Sequence, residues 1–191
     1  LDNNSMTATI AASSSKLYQL HRNGVVWEYT GVPCQGASCP GWRRLDNNPR
    51  TRAIVAVGSS LFQLHGSTVG QKHSDGRIWQ STGAPCVNNS CPGWDMLDNN
   101  PRTVQIKSDR GHLFQLHNTF RIWRATYVPC QGESCPGWQM LDNNPSTRSI
   151  ATANGQLYQL HANGRIWRST GAPCNGESCP GWQMLDNNPR T

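Results

Sequence analysis

Charge and helical periodicity are what this chain has least of. Only 15% of its 191 residues are charged, and no stretch repeats its apolar residues at the 3.6-residue period of an amphipathic helix. Helical bundles and coiled coils are therefore excluded. No apolar run approaches the roughly 20 residues of a membrane-spanning helix, so membrane insertion is not expected. No charged-then-apolar leader precedes Leu1, and the chain reads as a mature, soluble product. Acidic residues number 11, which leaves few carboxylates for acid–base chemistry. The formal charge is +6, but Lys and Arg are scattered, with no run beyond Arg43-Arg44, so no nucleic-acid stripe is expected. What the chain does have is 18 glycines and 12 prolines, the composition of a turn-rich all-β protein.

Those turns are periodic. The word LDNN begins at residues 1, 45, 97, 141 and 185. Within each interval the same words return in the same order: LYQLH or LFQLH, a Trp, Cys-x4-Cys, and PGW. The repeats are 1–44, 45–96, 97–140 and 141–184, with 185–191 a partial fifth copy expected to close the ring. Such periods mark repeat architectures, in which each unit buries its apolar face against its neighbours.

The fourth repeat is the easiest to read. Ser149 to Ala153 is a short strand, turned by Asn154-Gly155. Leu157-Tyr158-Gln159-Leu160-His161 is a second strand. Asn163-Gly164 makes a two-residue hairpin turn, and Arg165 to Thr170 is a third strand with alternating character. A cysteine loop then leads to a fourth strand from Trp182 to Leu185. Four short antiparallel strands in one unit make a blade, and four units make a four-bladed β-propeller as a single domain. The rival, a β-trefoil, needs threefold repetition. Repeat two carries an insert between His65 and Arg77, and repeat three has Asn118-Thr119-Phe120 where the others have an Asn-Gly turn.

The eight cysteines fall into four pairs by sequence: Cys34 with Cys39, Cys86 with Cys91, Cys130 with Cys135, and Cys174 with Cys179. Gly or Asn between them allows the sharp turn that a disulfide needs. Structural zinc wants four ligands, and these pairs lie a full repeat apart. Four local disulfides are expected, with no metal, and they suit secretion into an oxidising compartment. Asn3-Asn4-Ser5 and Asn88-Asn89-Ser90 fit the N-glycosylation pattern and agree with this.

The succession of an LYxLH-like strand, an NG turn, a Trp-bearing strand and a later Trp resembles the repeats of tectonin- and tachylectin-type β-propeller lectins. The paired cysteines depart from that pattern. The resemblance implies a secreted lectin with one carbohydrate site per blade or blade junction and glycans or glycoproteins as partners.

Strand connectivity places the second-to-third turn and the LDNN link on one face, with the cysteine loop expected on the other. The first face gathers His161, Asn163, Arg165, Asp186 and Asn187, with Trp167 close behind. In repeat one the same set is His21, Asn23, Trp27, Asp46 and Asn47. Asp98 and Asp142 hold the aspartate position in repeats two and three, and Trp79 and Trp123 hold the tryptophan position. Asp, Asn and Arg groups bind sugar hydroxyls, and an indole plate meets the C–H face of the ring. The same residues also have structural roles, because Asx-rich links form turns and a recurring Trp packs blades together. One Trp series is expected buried and the other partly exposed: Trp27, Trp79, Trp123 and Trp167 on the ligand side, and Trp42, Trp94, Trp138 and Trp182 pinning the cysteine loop. The histidines are expected to be structural or ligand-contacting rather than metal-binding. The mid-strand Gln19, Gln63, Gln115 and Gln159 should tie adjacent blades as buried amides.

No nucleophile elbow, phosphate-binding loop or metalloprotease helix is present, so no catalytic residue and no cofactor are expected. Four equivalent surfaces suit multivalent binding, and a lectin is the first reading. The alternative is a non-catalytic interaction or scaffold propeller, an inhibitor or a matrix-binding module, using an unsymmetrical patch such as Lys72, His73 and Asp75 in the repeat-two insert.

Overall fold

A computed structural model describes residues 2–66 and 75–188. Strand follows strand without a helix among the described residues. The first blade comprises β1 (Thr7–Ala12), β2 (Leu17–His21), β3 (Val26–Tyr29) and β4 (Trp42–Asp46). The second comprises β5 (Thr51–Val57), β6 (Ser60–His65), β7 (Ile78–Ser81) and β8 (Trp94–Asp98). The third holds β9 (Thr103–Asp109), β10 (His112–His117), β11 (Ile122–Ala125) and β12 (Trp138–Asp142). The fourth holds β13 (Thr147–Ala153), β14 (Gln156–His161), β15 (Ile166–Ser169) and β16 (Trp182–Asp186). Each is an antiparallel meander in sequence order, as a four-bladed β-propeller requires. Lys72 and His73 of the repeat-two insert lie outside the described residues. Asp75, at its end, pairs with Arg50 at 3.5 Å.

The first strands of consecutive blades pack side by side, β1 on β5, β5 on β9 and β9 on β13, and so line the axis. Around one end of it, residues Ala12 to Ser14, Val57-Gly58 and Asp109 to Gly111 border an open cavity of about 560 Å³. Three apolar clusters form the core, one per blade junction. The first joins Tyr18, Leu20, Val26 and Leu45 of blade one to Ile54 and Leu61 of blade two, with Trp94 packed against it. The second repeats this with Phe62, Leu64, Ile78 and Leu97 against Ile106, Leu113 and Trp138. The third does so with Phe114, Leu116, Ile122 and Leu141 against Ile150, Leu157 and Trp182.

A bulge in each blade makes these junctions possible. Between β3 and β4, Val26 faces Asp46 but Trp27 faces Arg44, leaving Leu45 as the extra residue. The same shift isolates Leu97, Leu141 and Leu185. A bulged residue leaves the ladder and can be aimed elsewhere. At the internal junctions its side chain enters the apolar cluster and its carbonyl accepts from the next blade's indole. Trp94 Nε1 donates to Leu45 O at 3.0 Å, Trp138 Nε1 to Leu97 O at 3.1 Å and Trp182 Nε1 to Leu141 O at 2.9 Å. This Trp series therefore pins blade to blade rather than the cysteine loop. Both Trp series are half-buried, so the expected division into a buried and an exposed series is corrected.

No comparable packing joins β13 to β1 among the described residues. The expected closure of the ring by blade four on blade one is absent there, and the two terminal links keep separate places. Asn3 Nδ2 donates to Ala37 O at 3.3 Å, and Arg165 Nε to Asn187 Oδ1 at 2.7 Å.

All four expected disulfides are present: Cys34–Cys39, Cys86–Cys91, Cys130–Cys135 and Cys174–Cys179, each with a Cα–Cα distance of 4.1 Å. Each bridges a tight loop whose inner residues exchange backbone hydrogen bonds, as Gln131 and Ser134 do at 2.7 and 3.2 Å.

Candidate functional site

The geometry at each blade junction starts from a threonine. Thr51, Thr103 and Thr147 open the first strand of their blades and are buried. Their hydroxyls donate to Gln63, Gln115 and Gln159 Oε1 at 2.8, 2.6 and 2.7 Å, and Thr7 donates to Gln19 at 2.9 Å. The glutamines thus tie the first two strands of one blade, correcting the expectation that they join neighbouring blades. On its other side the threonine meets the aspartate of the link that leads into its blade. Asp2, Asp46 and Asp142 Oδ2 lie 3.3, 3.5 and 3.3 Å from Thr7, Thr51 and Thr147.

Each link aspartate therefore serves the blade that follows it. Asp46 belongs with His65 and Trp79, and Asp142 with His161 and Trp167, which corrects the grouping of Asp46 with His21 and of Asp186 with His161. The aspartate also caps its own turn: Asn4 N donates to Asp2 Oδ1 at 3.2 Å and Asn188 N to Asp186 Oδ1 at 3.0 Å, Asx contacts of the expected kind. Burial pushes the Asp98 carboxyl above its usual range, opposed by hydrogen bonds from Gln115, Asn100, Asn99 and Thr103. Burial likewise raises Asp142.

Beside the aspartate stands a histidine–tryptophan pair on β2 and β3 or their equivalents. The ring centroids of His21/Trp27, His65/Trp79, His117/Trp123 and His161/Trp167 are 5.7–5.8 Å apart. The indole Nε1 and imidazole Nε2 of all four pairs are buried and find no protein partner among the described residues. Desolvation lowers the pKa of all four histidines, to about 4 for His117, so their rings are neutral at pH 7.

The cysteine loop supplies the remaining wall. It crosses the edge of the preceding blade, where Cys86 N donates to Arg44 O at 2.9 Å, Cys130 N to Met96 O at 3.3 Å and Cys174 N to Met140 O at 3.0 Å. Its tip then meets the link. Asn99 Nδ2 donates to Glu133 O at 2.9 Å, Asn143 Nδ2 to Glu177 O at 3.0 Å and Asn47 Nδ2 to Asn89 O at 3.1 Å. This corrects the expectation of the loop on the opposite face. It reaches the link because residues 30–41 separate β3 from β4, ample length to fold back along the blade edge.

These parts enclose a cleft between blades two and three. Asp98, Asn100, Gln115, His117, Trp123 and the Cys135-Pro136 corner border about 180 Å³. Among the cysteines it is Cys135 that borders this cleft. Its counterparts Cys39, Cys91 and Cys179 serve as the disulfide partners of Cys34, Cys86 and Cys174, closing their loops. Cys39 Sγ also lies 3.6 Å from Asn3 Oδ1, so in the first repeat the second cysteine touches the terminal link.

Of the residues singled out in sequence as ligand-binding, Asp98 and Trp123 meet in this cleft, and His21/Trp27 and His161/Trp167 form the equivalent pairs. Asn23 and Asn163 serve their own hairpin turns, their Oδ1 atoms accepting from Val25 N and Arg165 N at 3.2 Å. Arg165 and Asn187 bond each other at the exposed end of blade four. Sequence reasoning missed Gln115, Asn100 and the cysteine corner as walls. The signal for the last was the 34-residue step, shared by three of the four links, from the first link asparagine to the loop tip.

Across the described residues no group of three or more His, Cys, Asp or Glu side chains is placed to hold a metal ion. Repeat three keeps its turn without glycine: Phe120 adopts φ 68°, its N–H donates to His117 O at 2.9 Å, and the Arg148 guanidinium lies 4.7 Å above its ring.

Comparison with family models and with curated protein sequences returns no match. Solved structures do match. Prp20p from Saccharomyces cerevisiae, whose structure was described with its binding to Gsp1p and histones, aligns at TM-score 0.58 and 13% identity, covering 95% of this chain and 50% of that one. Human WBSCR16 aligns at 0.58 and 12%, covering 88% and 48%. YCF48 from Cyanidioschyzon merolae aligns at 0.52 and 12%, covering 93% and 58%. The chain spans about half the length of these structures. Such identities carry the fold alone, and that fold is the β-propeller.

Proposed function

We propose that this chain is a secreted, non-catalytic, multivalent carbohydrate-binding protein, with one small site at each link–blade junction. The observation that carries the reading is the fourfold recurrence of an indole N–H and an imidazole nitrogen, buried without a protein partner beside a link carboxylate. An unsatisfied buried polar group costs about 1–3 kcal/mol, so atoms left unpartnered by the protein favour a ligand that can hydrogen-bond to them. Hydroxyl groups both donate and accept, so a sugar would satisfy both atoms while its C–H face rests on the half-buried indole. The cleft between blades two and three, about 180 Å³, is smaller than the roughly 300–1,000 Å³ of pockets for drug-sized ligands. It suits one monosaccharide unit, bound weakly, and several such sites on one rigid body gain strength by avidity. The four disulfides agree with an extracellular setting.

A second reading is a protein-interaction propeller. The observation in its favour is that Prp20p, with the same fold, is described as binding Gsp1p and histones. A glycan array with competition by free monosaccharide separates the two. Binding that a monosaccharide displaces supports the lectin. Silence on the array, with binding to a protein partner through one patch, supports the second reading.

A further inference from the structure

The two outer blades each expose half of a junction. At the front of blade one, Ile10 is 64% exposed, whereas its equivalents Ile54, Ile106 and Ile150 are 6, 4 and 1% exposed. At the back of blade four, Leu185 is 50% exposed and Leu160 37%, whereas Leu45, Leu97 and Leu141 are 1–2% and Leu20, Leu64 and Leu116 are 1–3%. Met184, beside Leu185, is 44% exposed. Every internal junction joins a back of this kind to a front of this kind, so the exposed faces are complementary by the chain's own repeat. Contiguous apolar exposure of this sort marks an interaction site.

From this geometry we infer that the back of blade four docks on the front of blade one of a second copy, and that two chains close one eight-bladed ring through two such contacts. The contact is heterologous, because different surfaces meet, and such contacts form either rings or open filaments. Closure at two copies follows from blade number. Propellers typically carry four to eight blades, so two copies of four blades complete a ring and three would exceed it. In the new junction Leu185 takes the role of Leu45, Leu97 and Leu141, with Ile10 and Trp42 facing it as Ile54 and Trp94 face Leu45.

The chain ends make the exchange specific. Residues 2–4 occupy the link position of the first cleft, with Asp2 beside Thr7 and Asn3 bonded to Ala37 O. The incoming blade brings its own link, residues 185–188, to the same place. The two cannot share it, so the partner's link displaces residues 2–4, and the first cleft is completed by the second copy. This inference does not depend on what the clefts bind.

The experiment is sedimentation velocity on the intact chain and on Ile10→Glu and Leu185→Asp, singly and mixed. The intact chain should run at twice its 21.1 kDa mass, and each variant alone should run as a monomer. Mixing the two variants should restore a dimer, because one copy's intact back meets the other's intact front. Removing residues 2–4 should tighten the association. Both mutated side chains are exposed, so circular dichroism should show folded monomers. A monomeric intact chain at every concentration overturns the inference. So does a dimer that neither substitution weakens, or a mixture that stays monomeric.

Discussion

Replacing tryptophan by phenylalanine in the two Trp series should have opposite consequences. Trp138→Phe removes the indole that donates to Leu97 O at 3.1 Å. Leu97 is 2% exposed, so water cannot replace the lost donor, and an unsatisfied buried carbonyl costs about 1–3 kcal/mol. Trp123→Phe removes a nitrogen that has no protein partner, so no hydrogen bond is lost. Both substitutions shrink a half-buried ring equally, and the hydrophobic loss cancels in the comparison. The difference should be roughly 2 kcal/mol. For a chain of this size each kcal/mol moves the melting temperature by about 2–4 °C. Urea unfolding followed by far-UV circular dichroism should therefore rank Trp138→Phe well below Trp123→Phe. Equal destabilisation by the two would refute the assignment of one series to blade docking and the other to the cleft.

Other outcomes follow from the same contacts. Removing one bridge with Cys130→Ser and Cys135→Ser should cost at most about 2 kcal/mol, the entropic value of so short a loop, and intact mass before and after reduction of the parent chain should differ by eight hydrogens. At position 120, Phe120→Gly should be about 1 kcal/mol more stable than Phe120→Ala in thermal unfolding, because both lose the Arg148 contact but only glycine is unstrained at a positive φ. Acidification should destabilise the fold between pH 6.5 and about 4. In that window unfolded imidazoles take up protons that the depressed folded histidines refuse, so stability is full above the window and lost as pH falls. The term from His117 alone is up to about 3 kcal/mol. Asp98 and Asp142 oppose it, because their raised pKa values let the folded state hold protons just above their ordinary range. Midpoints in urea against pH check the slope.

The blades are legible in the sequence because their grammar is local. Asn163-Gly164 sets a hairpin, and the alternation in Arg165 to Thr170 sets a strand. The disulfides are legible because each second cysteine, Cys39, Cys91, Cys135 or Cys179, lies five residues from its partner. What sits between blades is harder to read. Nothing local in LDNN says that Asp46 serves His65 rather than His21, since that follows from the link crossing to the next blade before its carboxylate turns inward. The bulge at Leu45 is similarly silent, because a one-residue shift leaves the pattern of apolar letters unchanged. Closure escapes the sequence for a related reason. The count of elements fixes how many blades exist, but the angle between successive blades depends on packing of Leu45 against Ile54 and Trp94, which the sequence pattern does not state.

The most direct measurement is calorimetric titration of the intact chain with the monosaccharide that competes best on a glycan array. Equivalent clefts at successive blades predict a stoichiometry above one per chain. The same titration of Trp167→Ala should lose one site and leave the others unchanged. A stoichiometry of one, or full binding by the variant at every site, would contradict the account.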